Sequence, residues 1–395
     1  MIVFRRFILM LVALILGTLS SQSAFAADIT IWYSHQSSRF VEGLVQRFEQ
    51  ETGIQVSLVQ FKPSKIKAEL LLGAQYGGVP DLALVPSDFL GLYQQMRLEP
   101  VSKPWLSTDL SEDALKTAKV DDAYWGVPVI QGNHLMLFYN KKFVEEPVAS
   151  WQELIKTSQQ YRDDNLMPIG WNYTDMYFFM PFLFAFNGQP LDGDMITLDT
   201  PEMVEALDYY QQLSVQQVVD KKCNYNCSQQ RLIKGEEAYA INGDWAYQDL
   251  KDEMGDDLGV ALLPTLNSKP MYSMKSTFVF TLPGKLTKNS ERENRIAAFL
   301  TFVQREDNQK WVYQNYHLLP VHQALFQQVV SQAKGDELVL LQQLQFAKPM
   351  SSETNMAIVW AAMEKGYQRF RNGLSAKESA QYMQKVANKQ SKRLR

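Results

Sequence analysis

Ile29, Ile31 and Tyr33 recur at every second residue, the period of a strand that buries one face. Beyond Ser37 and Ser38, either of which can cap a helix, Phe40, Val41, Leu44, Val45 and Phe48 fall at helical spacing until Gly53 ends the run. Ile54, Val56 and Leu58 then alternate again. A second helix is predicted over about Lys65 to Tyr76 and broken by Gly77-Gly78, and Asp81 to Val85 reads as a short apolar strand of the kind buried inside a parallel sheet. The order strand, helix, strand, helix, strand is α/β winding, which places ligand-facing loops at strand ends. Capping boxes open later helices at Ser150 with Glu153, Ser290 with Glu293, and Ser375 with Glu378. No internal repeat, low-complexity linker or Gly/Ser-rich hinge divides the chain, which favours lobes joined by several crossing strands.

The first residues bear on the compartment. Arg5 and Arg6 precede an apolar run from Phe7 to Leu16, followed by small and polar residues and by Ala24-Phe25-Ala26, the architecture of a cleaved signal peptide over 1–26. The run is too short for a spanning helix. The residue after the expected cut is Ala27 rather than a lipid-accepting cysteine, so a periplasmic protein without a lipid anchor is expected. At roughly 100–200 residues per domain, what remains of the 395 residues suits two lobes, each able to bury its own core. A net charge of −4 with both signs interspersed offers no basic face for nucleic acid, and the mildly basic Lys389 to Arg395 reads as a solvated helix end. Cys223 and Cys227 are the chain's two cysteines. In an oxidising compartment they are expected to pair; Cys-x3-Cys without nearby histidine lacks the ligands of a structural zinc site.

Catalytic motifs are scarce. The sequence has no Gly-x-Ser-x-Gly, no His-Glu-x-x-His and no phosphate-cradling glycine loop, and only 4 histidines. Ser331 and Lys334 form a Ser-x-x-Lys that falls within a helical run and is read as chance. Tyr209-Tyr210 resemble the paired tyrosines of iron-binding receptors, but they lie in an amphipathic helix after Thr200-Pro201, where packing is the plainer reading. No catalytic residue, cofactor or metal site is expected. The aromatic content points elsewhere: 8 Trp and 18 Tyr, several at predicted segment ends, suit a sugar site, where rings stack on the weakly apolar sugar face and carboxylates or amides take the hydroxyls.

Several segments, in order, carry a family resemblance: ITIWYSH, FEQETGIQVSLVQ, VPDLALVPSDFLGLY, YWGVPVIQGNHLMLFYNKKF with SWQELIK, KGEEAYAINGDWAY, GVALLPT, and VWAAMEKGYQRFRNGLSAKES. Together they resemble the family 1 extracellular solute-binding proteins of ABC importers, the family of the maltose-binding protein. The resemblance implies an α/β fold of the two-lobed periplasmic binding protein type (type II), with helix-covered sheets joined by a three-segment hinge. Crossings are expected near Gln131 to His134, Met271 to Ser276 and Val330 to Gly335. The implied first lobe is 27–132 with 275–332, and the second is 133–274 with 333–395. The implied function is capture of a sugar or oligosaccharide in an interlobe cleft and delivery by a monomeric receptor to an inner-membrane ABC permease. Within this fold the alternatives are a polyamine, glycerol phosphate or iron receptor, or presentation of ligand to a membrane sensor. A secreted hydrolase is the alternative of another class.

By the same resemblance, Trp245 in Asn242-Gly243-Asp244-Trp245-Ala246 matches the indole that stacks on bound sugar, with a core plug as the competing reading. Trp360 and Tyr177 match further platforms, each weighed against core packing. Asp175 and Asp88 match hydroxyl-binding acids, though Asp88 can equally be a helix cap. Asp244 stands where the family usually has proline, so it either re-aims the loop or binds hydroxyls itself. Asn133, with His134, sits at the first crossing and either touches ligand or satisfies the crossing backbone. Trp32 and Tyr33 end the first strand, one expected to face the core and the other the cleft; His35 and Gln36 follow, and Trp171 with Tyr173 is placed on the cleft wall. Other maltose-receptor positions depart: Val85 replaces a tryptophan, Asn133 an acid and Glu364 an arginine, and Ser34-His35-Gln36-Ser37 stands where an acid and a lysine are expected. Maltose itself is therefore disfavoured.

Overall fold

The computed structural model describes residues 27–34, 38–285 and 290–394. The expected leader over 1–26 and the candidates His35 and Gln36 lie outside the described residues. The strands of the two large sheets, in chain order, are β1 (Ile29–Tyr33), β2 (Val56–Gln60), β3 (Leu82–Pro86), β4 (Leu98–Glu99), β5 (Gly126–Gly132), β6 (Leu135–Asn140), β7 (Met167–Gly170), β8 (Glu237–Gly243), β9 (Leu258–Ala261), β10 (Met274–Pro283), β11 (Leu319–Pro320) and β12 (Lys348–Pro349).

The first sheet runs β11-β5-β10-β3-β1-β2, with β4 and β12 also on β10. β1 pairs parallel with β2 and β3, while β10 runs antiparallel to β3 and β5. The alternation read along β1 is real: Ile29, Ile31 and Tyr33 are buried and the residues between them are half-buried. β3 lies between two partners and buries Leu82 through Val85 without alternation, as a central strand does. The second sheet runs β9-β6-β8-β7, with β8 antiparallel to β6 and parallel to β7. Both sheets are mixed because β10 and β6 return against the winding direction of their neighbours.

Helix starts follow the side-chain chemistry anticipated from sequence. Ser150, Ser290 and Ser375 each accept from the backbone N–H three residues on, at 3.2, 3.1 and 3.3 Å. At Ser375 the box is reciprocal, with Glu378 accepting from the Ser375 N–H at 3.1 Å; Glu153 reaches past Ser150 to the Ala149 N–H instead.

The chain leaves the first sheet at Gly132 and enters the second at Leu135; it leaves the second after Ala261 and rejoins the first at Met274. Beyond β11, the Gln323–Gln332 helix packs on that strand of the first sheet, whereas the Asp336–Phe346 helix packs on β9 and β6 of the second.

Trp171 and Tyr173, expected on the cleft wall, are core residues instead; Tyr173 is 3% exposed and stacks on Tyr210 at 4.4 Å. Trp171 is 0% exposed, packed between Trp151 and Phe182 at ring distances of 5.8 and 5.6 Å, with its indole N–H donated to the Tyr210 hydroxyl. Its polar tip is thus satisfied inside the second sheet's helix layer, the condition under which a tryptophan is fully buried. Tyr33 is 3% exposed and donates its hydroxyl to Glu42 of the Ser38–Thr52 helix at 3.4 Å, so of the Trp32-Tyr33 pair the tyrosine faces the core. Burial pushes its phenol up to about 12. Trp32 is half-buried against Phe61, 4.9 Å away.

Trp171→Ala is expected to cost about 3–5 kcal/mol in chemical denaturation, the range for emptying an aromatic core site. It should leave ligand affinity of the folded fraction unchanged; a loss of affinity without a loss of stability would return Trp171 to the cleft.

Candidate ligand-binding site

Tyr177 and Trp360 are half-buried and Trp245 is 8% exposed; the three rings converge, with Tyr177 6.3 Å from Trp245 and 6.3 Å from Trp360. Each comes from a different element. Tyr177 lies in the first turn of the Met176–Ala185 helix, whose start Asp175 caps by accepting from the Tyr177 N–H at 2.9 Å. Trp245 sits in the turn directly after β8, and Trp360 projects from the Thr354–Arg371 helix. Gly243 is required beside Trp245: a Cβ there would stand 2.1 Å from the indole ring. The ring therefore folds back over the end of β8, and only a residue without a side chain admits it.

Asp88 joins this group from the first sheet. It belongs to the Ser87–Leu92 turn of 3-10 helix that follows β3, is 4% exposed, and lies beside Trp360. That turn of helix packs closely on the Thr354–Arg371 helix. Burial raises the Asp88 carboxyl to about 6, against the opposing pull of Lys67, its own backbone and Trp360. The cap reading of Asp88 fails, since the turn's N-cap is Pro86 with no side-chain bond. Asp175 is solvent-accessible yet ringed by protein. That surrounding raises its carboxyl, as does the charge of Glu364, while the Tyr177 N–H lowers it.

Asp244 and Asn133 lie at the junction of the two sheets, and their polar atoms are taken up there. One Asp244 carboxylate oxygen accepts from the Asn133 N–H at 3.1 Å, the other from the His134 N–H at 3.2 Å, and the Asp244 N–H donates to the His134 carbonyl at 3.0 Å. The preceding Gly132 has φ +114°, and a Cβ on it would stand 2.1 Å from the same carboxylate. Asn133 donates its amide to the Ser276 hydroxyl at 2.7 Å, and its carbonyl accepts from the Tyr177 hydroxyl, which also donates to the Met274 carbonyl at 3.2 Å. Burial and the neighbouring Asp244 charge hold the Tyr177 phenol well above its ordinary value. Leu135 N–H donates to Ser273, and the buried His134 ring lies 3.0 Å from the Leu340 carbonyl through Nε2. Of the two readings of Asn133, the backbone-satisfying one describes its contacts.

The structure thus brings Trp245, Trp360, Tyr177, Asp175 and Asp88 together, sets Asp244 and Asn133 beneath them as the junction, and leaves Trp171, Tyr173 and Tyr33 in cores. Sequence reading missed Tyr225, whose hydroxyl accepts from the Trp245 indole N–H at 3.1 Å, although its place between Cys223 and Cys227 was a usable signal. Those cysteines form a disulfide. Among the described residues no cluster of histidine, cysteine, aspartate and glutamate could hold a metal ion, and no helix is long and apolar enough to cross a membrane.

Two helix-covered mixed sheets, joined by several segments and sharing an aromatic and acidic site at their junction, define a two-lobed solute-receptor fold. The model of the bacterial extracellular solute-binding protein family matches residues 43–336, and the chain belongs to that family. Similar curated proteins include the maltodextrin-binding protein MdxE of Bacillus subtilis, 23% identical over 365 residues that cover 87% of this chain and 86% of the relative. The galactooligosaccharide-binding protein of the same organism is 20% identical over 376 residues, covering 90% and 87%. Among solved structures, the maltose/maltodextrin-binding domain MalE from Bdellovibrio bacteriovorus bound to maltotriose superposes with a TM-score of 0.85 at 23% identity, covering 92% of this chain and 99% of that one. The protein is a solute receptor of the extracytoplasmic side, in a family of binding proteins rather than catalysts.

The folded protein holds the Asp88 proton more tightly than the unfolded chain does. The stability this group contributes is therefore complete below the ordinary aspartate range and is lost as pH rises through about 6. Without added ligand, the wild-type melting temperature should fall between about pH 4 and 7 relative to that of Asp88→Asn, a difference worth about 3 kcal/mol. Parallel curves for the two proteins would place the Asp88 carboxyl outside a desolvated site.

Proposed function

We propose that the protein captures a neutral oligosaccharide between its two lobes and hands it to a membrane permease of an ABC importer. The observation that carries this reading is the convergence of Tyr177, Trp245 and Trp360 with Asp88, which reaches the cluster from the other sheet. Ring faces take the apolar sides of successive sugar units, and carboxylates accept from hydroxyls in charge-assisted bonds. Ionised Asp88 has about four acceptor sites, so a hydroxyl can be accepted beside the Trp360 indole. The ligands for which the similar proteins are named or with which they were solved, maltodextrin, galactooligosaccharide and maltotriose, support an oligosaccharide as the class. Asp88, Asp175 and Glu364 outnumber Lys67, the cation that acts on Asp88, and this balance opposes glycerol phosphate or another anion.

In this reading the first lobe comprises 27–132 with 275–332 and the second 133–274 with 333–395, and they close by rotation about the junction. Arg39 of the Ser38–Thr52 helix pairs with Asp249 and Asp252 of the Tyr247–Met254 helix, a bond between the two halves at the rim. Its worth is small, because exposed ion pairs contribute about 0–1 kcal/mol. Ligand contacts made by both lobes at once must supply most of the bias toward closure. Ala24-Phe25-Ala26 followed by Ala27 supports release into the periplasm in solution, and monomeric delivery is expected.

Titration calorimetry of the mature protein with maltotriose, maltotetraose and galactooligosaccharides should show saturable binding without turnover, and glycerol phosphate and spermidine should give no heat. Trp245→Ala and Trp360→Ala should each weaken binding at least about tenfold, or 1.4 kcal/mol, while still unfolding cooperatively. Normal affinity in both variants, or hydrolysis of the sugar, would defeat the assignment.

A further inference from the structure

The Cys223–Cys227 disulfide lies outside the aromatic cluster, and ordinary stabilisation is a weak explanation for it. A bridge between residues only four apart removes little disorder from the unfolded chain. What it does hold is local. Cys223 is buried, and its carbonyl accepts from the Tyr173 N–H at 3.1 Å, in the loop that leads to Asp175 and Tyr177. Cys227 lies in the first turn of the Tyr225–Lys234 helix, where its N–H donates to the Asn224 side chain at 3.0 Å. Arg231, one turn on, pairs with Asp220 at 3.1 Å and stands 3.9 Å from the Cys223 sulfur. Ser228 donates to Glu237 of β8 at 3.0 Å, fastening the same helix to the strand that leads into the Trp245 turn.

Tyr225 is enclosed by the five-residue ring that the bridge closes, and its hydroxyl is the acceptor for the Trp245 indole N–H. We propose that the disulfide is the positioning element of the aromatic platform: it fixes Tyr225, Tyr225 fixes the rotation of the Trp245 ring, and the strength of ligand binding depends on the bridge being closed. An indole whose N–H is committed to a fixed acceptor has one preferred tilt over Gly243, and the sugar meets a surface that is already ordered. With the bridge open, the first turn of the helix is free to fray, Tyr225 loses its fixed place, and the platform must be ordered at the expense of binding. Tyr225 and the cysteines are positioning residues here. The proposal rests on the reading of Trp245 as a sugar platform, but the state of the indole can be followed without any sugar.

Two measurements test it. In the absence of sugar, dithiothreitol cleaves the S–S bond to two thiols and is itself oxidised to its cyclic disulfide. This should raise acrylamide quenching of tryptophan fluorescence in the wild type, and the increment should vanish in Trp245→Phe. No increment in the wild type, or one that survives in Trp245→Phe, overturns the proposal. With maltotriose as probe, Tyr225→Phe and the double variant Cys223→Ser/Cys227→Ser should each weaken binding about three- to tenfold, the worth of one neutral hydrogen bond. The triple variant should be no weaker than the double one, because all three changes break a single chain of contacts. Additive losses, or a cysteine variant with lowered melting temperature and unaltered affinity, would reduce the bridge to a local staple. If the quenching result holds but wild type binds none of the tested sugars, the positioning stands and the oligosaccharide reading falls.

Discussion

A chain that passes between two cores must carry its backbone polar groups through a region with little water, and every other feature of this protein is arranged around that requirement. Two segments make the passage side by side, 132–135 and 273–276. Asp244 accepts from both amides of Asn133-His134, Ser273 takes the Leu135 N–H, and Asn133 is tied to Ser276. An unpaired buried amide would cost about 1–3 kcal/mol, so these side chains are needed whatever the ligand is. The same residues carry the platform. Asp244 is adjacent in sequence to Trp245, and the Tyr177 hydroxyl donates to carbonyls of both crossing segments, Asn133 and Met274. In the proposed closure, a rotation about the junction would therefore move the floor of the site, and a ligand that orders the rings would also load the junction.

This sharing explains the departure at position 244. A proline there would supply no carboxylate to the Asn133 and His134 amides and no N–H to the His134 carbonyl. The aspartate meets all three needs, and Gly132 clears space for it by lacking a Cβ and adopting a positive φ. Its two oxygens are engaged with the backbone, which leaves Asp88 and Asp175 as the carboxylates with acceptor capacity toward the rings. In the proposed function the acid that takes hydroxyls is thus contributed from the first sheet, and Asp244, the acid nearest Trp245 in sequence, serves the chain itself.

Periodicity made most of the fold legible. The alternation at Ile29, Ile31 and Tyr33, the helical run from Phe40 to Phe48 and the three capping serines each reflect a local rule that tertiary packing did not override. Family resemblance, and not local pattern, picked out Trp245, Trp360 and Tyr177, which the fold brings together. Trp171 shows where such reading stops. Like Trp245 it is a tryptophan at a strand end among polar neighbours, and the difference between them is the partner of the indole N–H: Tyr210 inside the core, Tyr225 at the edge of the site. Both partners are distant in sequence, 39 and 20 residues away, and only the folded chain assigns them. Tyr33 and Trp32 posed the same problem on one strand, where alternation says that the two face opposite ways but not which face is wet.

The contact between Asp88 and Trp360 bears on how closure can be selective. In the proposed closure, a strong contact between Asp88 on one lobe and Trp360 on the other would favour the closed arrangement by itself, and the receptor would close on nothing. The strength of the contact is held down because Asp88 is desolvated: the carboxylate that makes the best acceptor is also the form that burial disfavours, and its raised pKa records that cost. A sugar hydroxyl donated to the same carboxylate gives the charge a second partner and offsets part of the cost. In the proposed closure that gain is available only when both lobes surround the ligand. Moving a mostly open population to a mostly closed one takes about 5.5 kcal/mol of preference for the closed form. In the proposed function, a buried acid whose charge is disfavoured by desolvation, set against rings from the opposite lobe, concentrates that preference where an occupant rich in hydroxyls can release it.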